Sequence, residues 1–421
     1  MPITVGTIGS SSTLSPSNGA SGLDLDFAAG RFFLNSTARL NPADVPGWSF
    51  SRTGAGTALQ AGGSVIQFAT GVPRITNRGI LVEEARTNLA LQSQNVATTW
   101  ATGESTATAA VASAPDGTTT AGSIVETVNN AQHNIQQTIT IASGSVYTIS
   151  VLCKPLGTGS KRWLRLFWNS GWAALPNVVF DVALGTIGAV NNATATITAL
   201  ANGWYRCTVT PSTNSNATSA VLRVGLDSTG TNVAYAGDGV SGLLVWGMQA
   251  ELGSFATTPI ITTGAAATRG AENPNVTGLV FPDTFVAFAE LSLDAVRSNE
   301  TMFELSDGTT SNRIRVSRGV TTGNFDFFSQ ASGGAQPSQA LSGSGNPAGG
   351  ITRVAIRVRP TGARLAARGF IGTEVTITRP ALSAMFIGRP TDQAALMNAY
   401  GARFRIIPGD MSDAALQALT S

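Results

Sequence analysis

The chain has 421 residues, a net charge of +2 and only 12% charged residues. That length suits roughly two to four domains, and so weak a net charge argues against a nucleic acid or a membrane surface as partner. No run of about 18 apolar residues exists, so no membrane-spanning helix and no membrane insertion is expected. The opening Met-Pro-Ile-Thr-Val-Gly also lacks the basic region and apolar core of a signal peptide. Glycine contributes 47 residues, and of 26 basic residues only Lys154 and Lys161 are lysine. Small residues with few long charged chains suit a tightly packed all-β protein more than an ordinary cytosolic enzyme.

Residues 1 to about 24 are rich in Gly, Ser and Thr and lack apolar periodicity, which predicts an extended segment that orders against a partner. Leu-Asp-Leu-Asp-Phe-Ala, then Arg31-Phe32-Phe33-Leu34 and a Pro/Gly-punctuated run to Trp48, add apolar residues but no repeating strand pattern. From Trp48 to Trp100 the chain carries Phe50-Ser51-Arg52, Val72-Pro73-Arg74 and Gly79-Ile80-Leu81-Val82-Glu83-Glu84-Ala85-Arg86-Thr87-Asn88-Leu89. Adjacent residues of a strand face opposite ways, so Glu83 and Glu84 do not form a carboxylate pair. Arg74, Arg78 and Arg86 are the expected ion partners. Ile80, Val82, Leu89 and Leu91 are expected to pack the N-terminal lead onto the first sandwich.

Those motifs, with Trp100, Ala114-Pro115-Asp116-Gly117, His133, Gly203-Trp204-Tyr205-Arg206 and Trp246-Gly247-Met248-Gln249-Ala250-Glu251, resemble a module of bacteriophage and prophage head-spike or tail-fibre proteins. Some of these belong to gene transfer agents. The resemblance spans roughly residues 48 to 270 and implies a place on a virion surface, reached after host lysis. It also implies a homo-oligomer, with a trimer favoured, although no heptad pattern encodes one.

Residues 105 to 260 read as a β-sandwich. Tyr147, Ile149, Val151 and Cys153 alternate along one strand, and Leu164, Leu166 and Trp168 alternate with Trp163, Arg165 and Phe167 along another. Further short strands near 178–182, 194–200, 204–210, 219–226 and 242–251 are separated by turns such as Leu184-Gly185 and Gly237-Asp238-Gly239. That spacing indicates a sandwich or jelly roll, a layout that resembles carbohydrate-binding modules. Cys153 and Cys207 share strand faces with apolar neighbours and read as buried free thiols.

Residues 262–280 have linker composition. A second β block follows, with Phe285 to Leu293, Ile314 and Val316 between Arg313 and Arg315, and Val354, Ile356 and Val358 among Arg353, Arg357 and Arg359. From residue 275 onward 13 Arg face 11 Asp and Glu, so this block is not a basic patch. Its end, Asn398 to Ile407 followed by Met411 to Leu419, is similar to the closing strand and short helix of concanavalin A-like lectin domains. Ser412 reads as N-cap, Asp413 favours the first turn, and Leu416 and Leu419 bury the helix on the sandwich.

The sequence thus predicts an all-β chain: an N-terminal extended anchor, a jelly-roll β-sandwich, then a concanavalin A-like β-sandwich. The boundaries are 1–47 for a virion-attachment segment, 48–104 for a joint, 105–262 for the jelly roll, 263–280 for a linker and 281–421 for the lectin-like domain. Glycan binding requires an exposed aromatic platform for a sugar's apolar face and planar polar groups for its hydroxyls. The run from Lys161 to Trp172 supplies them, and Trp163, Arg165, Phe167 and Trp172 are the expected glycan-binding residues, with Trp172 in the loop that follows the strand. A glycosidase needs two carboxylates about 5–10 Å apart across a cleft. Glu290 and Glu304 are the candidates, without any Glu-x-Asp-x-x-Glu string.

The single histidine, His133, forms no histidine metal cluster and reads as structural. Asp227, Asp238 and Asp307 lie in turns without the dense spacing of a calcium loop. Phosphate-cradling loops, Cys-x-x-Cys pairs and serine-hydrolase elbows are absent. With the resemblance to phage spike and fibre proteins, the expected function is non-catalytic attachment to host surface polysaccharide without a cofactor, with other virion proteins held by the N-terminal segment. A decoration or adaptor protein without glycan binding is the alternative, and a polysaccharide depolymerase the next.

Overall fold

A computed structural model describes residues 22–157, 159, 162–231, 233–293, 299–319, 323–345 and 350–421. Residues 1–21 of the expected attachment segment, and Lys161, lie outside them. The fold is all-β: antiparallel sheets account for the regular structure, apart from two single 3-10 turns and one helix at Asp413–Thr420 among the described residues. It divides into two compact units. Among the described residues, one comprises residues 22–51, Ile75–Glu84 and Glu272–Ser421, and the other Arg52–Arg74 and Ala85–Ala271.

The second of these units is a sandwich of two six-stranded sheets. One runs Ala101–Gly103, Asn134–Thr140, Ser219–Asp227, Trp163–Trp168, Asn177–Asp181, Thr186–Asn191 in spatial order. Its partner runs Ser105–Ala112, Ala121–Glu126, Gly242–Leu252, Tyr147–Pro155, Tyr205–Pro211, Ala193–Ala199. The chain changes sheet repeatedly, as a jelly roll does. Alternation decides the facing. Leu164, Leu166 and Trp168 join Ile135, Leu222, Val224, Ile149, Val151 and Val245 in one continuous core. Cys153 and Cys207 lie in that core as free thiols. A smaller cluster of Trp204, Trp246, Leu152, Leu244 and Val65 forms on the other face of the second sheet. The hairpin of Gly56–Leu59 and Val65–Phe68 contributes Val65 and Leu59 to it.

The other unit is also a sandwich. Its larger sheet runs Thr37–Arg39, Arg31–Leu34, Leu23–Asp26, Ala399–Pro408, Phe285–Ser292, Ile351–Arg359, Gly362–Ala367, Phe370–Ile371. The facing sheet includes Phe325–Ala331, Arg313–Arg318, Glu300–Ser306, Ala384–Ile387, Asn275–Thr277 and Trp48–Ser49. Phe285, Ala287, Ala289, Ile314, Val316, Val354, Ile356 and Val358 are fully buried, as their alternation requires.

The helix closes on the outer face of the larger sheet. Ser412 accepts a hydrogen bond from the Ala415 N–H, and Leu416 is buried among Val286, Phe288, Ala355, Ala366 and Ile407. With both faces covered there, Arg357 is buried rather than solvated, and it donates to the Met411 carbonyl at 2.6 Å and to Asp413 at 2.7 Å.

Two expectations change. Residues 22–47 are not an extended anchor. Leu23–Asp26 pairs along its whole length with Ala399–Pro408, with Leu25 opposite Phe404. Leu23 and Leu25 are buried, Phe27 packs against Phe404, and Asp24 forms an ion pair with Arg403 on the opposite face. Residues 263–280 are not a free linker either, because Ala267–Arg269 pairs with Arg86–Asn88 and Asn275–Thr277 with both Trp48–Ser49 and Ala384–Ile387. Within the expected 48–104 joint, the 79–100 stretch passes from one unit to the other. Gly79–Val82 pairs with Ala399–Gly401 in one unit, whereas Leu89 packs on the core of the other. Gly79 has φ 114°, and a Cβ there would meet the Gly401 carbonyl oxygen at 2.2 Å, so glycine is required for this pairing.

Candidate functional site

The outer face of the sheet containing Trp163–Trp168 holds the predicted residues. On this strand the odd-numbered side chains point away from the core, and antiparallel register aligns them with neighbours. Gln136, Arg223, Phe167 and Asn177 form one row across four adjacent strands. Arg165 lies opposite Gly225 and Val179, and Trp163 lies opposite Asp227.

Their environments differ. Trp163 and Phe167 are half-buried. Gly230, in the turn after Asp227, and Gly188 crowd the Trp163 ring: a Cβ at either would approach it to 2.9 or 2.7 Å. Gly230 also sits at φ 84°, where a side chain is strained. Arg165 is buried. It forms an ion pair with Asp227 and donates to the Asn177 amide oxygen at 2.9 Å. Asp227 in turn accepts from the Thr229 and Gly230 N–H groups at 3.0 and 2.6 Å. Arg165 is thus a structural cation.

Trp172 lies in the loop after the strand, as expected, but is not available to a sugar. It is buried, packs on Trp168 with ring centroids 4.5 Å apart, and donates its indole N–H to the Thr213 carbonyl at 3.1 Å. A short loop returns it to the core because Trp168, four residues earlier, already anchors that end of the sandwich. Of the four predicted residues the structure leaves Trp163 and Phe167 on the open face. It adds three that the sequence reading missed, Gln136, Asn177 and Arg223. Their strands alternate, so their facing was readable, but the cross-strand register was not.

Arg223 lies over the Phe167 ring, 5.7 Å from its centroid. Its Nε donates to Gln136 Oε1 at 2.6 Å and one terminal nitrogen to Gln132 Oε1 at 3.2 Å. The aromatic ring and the amides are the chemical types that bind sugars: a flat apolar surface beside planar donors and acceptors fixed by neighbouring strands.

The other candidates are occupied by structural roles. Glu290 and Glu304 lie on different sheets of their sandwich. Glu290 forms an ion pair with Arg353 at 2.7 Å. Glu304 is buried, which raises its pKa, and it accepts from the Thr391 N–H at 2.8 Å. His133 is buried with one ring nitrogen at the Glu104 carbonyl and the other 3.1 Å from the Tyr235 carbonyl. Both nitrogens are taken by the protein.

Beside it, Glu126 is buried and receives Arg162 Nε at 2.6 Å, the Tyr235 hydroxyl at 2.7 Å and the Asp238 N–H at 2.8 Å. Burial, and then the bond to Glu126, push the Tyr235 phenol upward. Asp238 is held well below the usual carboxylate range by the Ser241 hydroxyl and by the Ser241 and Val240 N–H groups. Asp307 accepts from Thr309 and Asn312. These turn carboxylates are engaged by protein donors.

No family model matches the chain, and no curated protein does. Among solved structures, domain 4 of AbnA, a GH43 extracellular arabinanase from Geobacillus stearothermophilus, in complex with arabinotriose, is similar at 15% identity and a TM-score of 0.29, over 36% of this chain and 73% of that one. The CBM40 of the Ruminococcus gnavus IT-sialidase is similar in two complexes. Bound to α2,6 sialyllactose it shows 11% identity and a TM-score of 0.28 over 33% of this chain and 84% of that one. Bound to α2,3 sialyllactose it shows 13% identity and a TM-score of 0.27 over 33% and 82%. Likenesses this distant carry no argument about what this chain binds.

Proposed function

We propose that this chain is a spike or fibre protein of a virion surface that attaches, without catalysis, to host cell-surface polysaccharide. The observation that carries the binding part is the open face of the jelly-roll unit. There Phe167 presents a half-buried ring beside Gln136, Asn177 and Arg223, and Trp163 presents a second one four residues back along the same strand. The virion setting and the trimeric assembly rest on the resemblance of the Glu-Glu-Ala-Arg-Thr-Asn-Leu module to phage structural proteins. Repeated weak sites on one particle reach useful avidity through effective concentration, so no single deep pocket is required.

The non-catalytic reading is supported by Glu290 and Glu304, which lie on different sheets, each held by its own partners. The test is binding of the purified protein to bacterial capsular and lipopolysaccharide glycans, with and without Trp163→Ala and Phe167→Ala. Binding that both variants weaken supports the reading. No binding by the intact oligomer overturns it, and release of oligosaccharides from purified capsule would replace it with a depolymerase.

A purely structural decoration or adaptor role is favoured by a different observation. Thr186–Asn191 and Ala193–Ala199 are the edge strands of the two sheets, are largely exposed, and contain no charged residue. Uncharged edges are the kind that pair with other chains. On that reading, a lysine at Val190 separates subunits or partners and leaves no glycan binding to lose.

A further inference from the structure

Among the described residues, the Arg223 guanidinium has no carboxylate partner on the open face. Arg165, one register step away, is matched by Asp227, and Arg162 by Glu126. Arg223 instead meets only neutral oxygens: the Gln136 and Gln132 side chains hold its Nε and one terminal nitrogen, and the Phe167 ring lies beneath it. Its other terminal nitrogen has no acceptor, and no carboxylate lies within 4 Å of it, among the described residues. Partial burial pulls its pKa down with no anion to oppose the effect. A cation that loses water without gaining a counter-ion costs free energy, yet two glutamines and a ring fix its plane. A fixed planar guanidinium with a free edge is the geometry that pairs with a carboxylate.

Resting on the glycan-binding reading, we propose that Arg223 receives the carboxylate of an acidic sugar, making the ligand a uronate- or sialate-containing polysaccharide. Phe167 holds the apolar side of the sugar that carries the carboxylate, Asn177, in the same cross-strand row, takes a hydroxyl, and Trp163, four residues back on the strand and about 13 Å away, meets a second sugar. The row of four strands spans about 14 Å at the ~4.8 Å strand spacing, enough for two or three sugar units. Salt then matters, because one ion pair on an open face is screened at high ionic strength.

The experiment uses the intact oligomer and three polymers: hyaluronan, polygalacturonate and polysialic acid, each beside its carboxyl-reduced, uncharged counterpart. Binding is measured by glycan array and calorimetry for wild type, Arg223→Gln, Arg223→Lys and Phe167→Ala, and each variant's melting temperature is recorded. The expected result is that at least one charged polymer binds at least tenfold more tightly than its reduced form. Arg223→Gln loses that difference with an unchanged melting temperature, Arg223→Lys restores part of it, and Phe167→Ala weakens both forms. Equal binding of charged and reduced polymers, unaffected by Arg223→Gln, overturns the inference and leaves the glycan-binding reading standing. Failure of every charged and neutral glycan to bind removes that reading and the inference with it.

Discussion

Arg165 and Asp227, 62 positions apart in the chain, form a buried ion pair on the outer face of the jelly-roll sheet. Removing one partner strands the other charge, whereas replacing both leaves no charge to strand. Arg165→Met should therefore destabilise the jelly-roll unit by about 3–5 kcal/mol, and Arg165→Met with Asp227→Asn by much less. Chemical denaturation of the single and double variants checks this. A double-variant loss equal to the sum of the separate Arg165→Met and Asp227→Asn losses would mean that the pair carries no coupling.

Trp172 and Phe167 should separate stability from binding. Trp172 is in the core and Phe167 on the open face. Trp172→Ala is expected to cost about 3–5 kcal/mol. Where that variant remains folded, it should keep its affinity for glycan. Phe167→Ala should do the reverse, with a small shift in melting temperature and lost binding. Thermal melts and a binding assay on the same preparations decide the matter.

The first described strand offers a third test. Leu25 is fully buried opposite Phe404, so Leu25→Ala should cost about 2–5 kcal/mol. An appended anchor segment would tolerate the change without any shift in the denaturation midpoint.

Asp413 ties the C-terminal helix to the sheet. Its hydrogen bond from Arg357, with Arg364 and Arg359 nearby, holds its carboxyl below the usual aspartate range. A lowered folded-state pKa contributes stability that is fully present above the unfolded value of about 3.9 and is lost as pH falls through the lowered value. The melting temperatures of wild type and Asp413→Asn should accordingly differ most above about pH 5, and the gap should narrow as pH falls below the unfolded value of about 3.9. A gap that stays constant from pH 7 to pH 2 would assign the effect to helix capping alone.

Cys153 and Cys207 are free and buried, and burial pushes both thiols upward. Neither should react with a thiol-specific reagent at neutral pH in the native protein, and both should react in guanidinium. Fast labelling of the native state would show that the core opens.

Much of the fold was legible because alternation is local. Leu164, Leu166 and Trp168 face the core and Trp163 and Phe167 do not, as a period of two dictates. Ser412, Leu416 and Leu419 identified the closing helix by cap and spacing. Ser105–Ala112 and Thr186–Asn191 escaped notice because small and polar residues at sheet edges leave no apolar alternation to read. Arg165 looked like a sugar ligand only while Asp227 was out of sight.

The sequence by itself determined the all-β class, the facing of the central strands, the buried thiols and the terminal helix, because each depends on residues close together in the chain. Tertiary structure alone decided that Leu23–Asp26 completes a sheet with Ala399–Pro408, and that residues 79–100 divide between two units. It also decided which arginine of the open face keeps its charge unmatched. Register and ion pairing join residues tens to hundreds of positions apart, and nothing in the local pattern of either partner specifies the other.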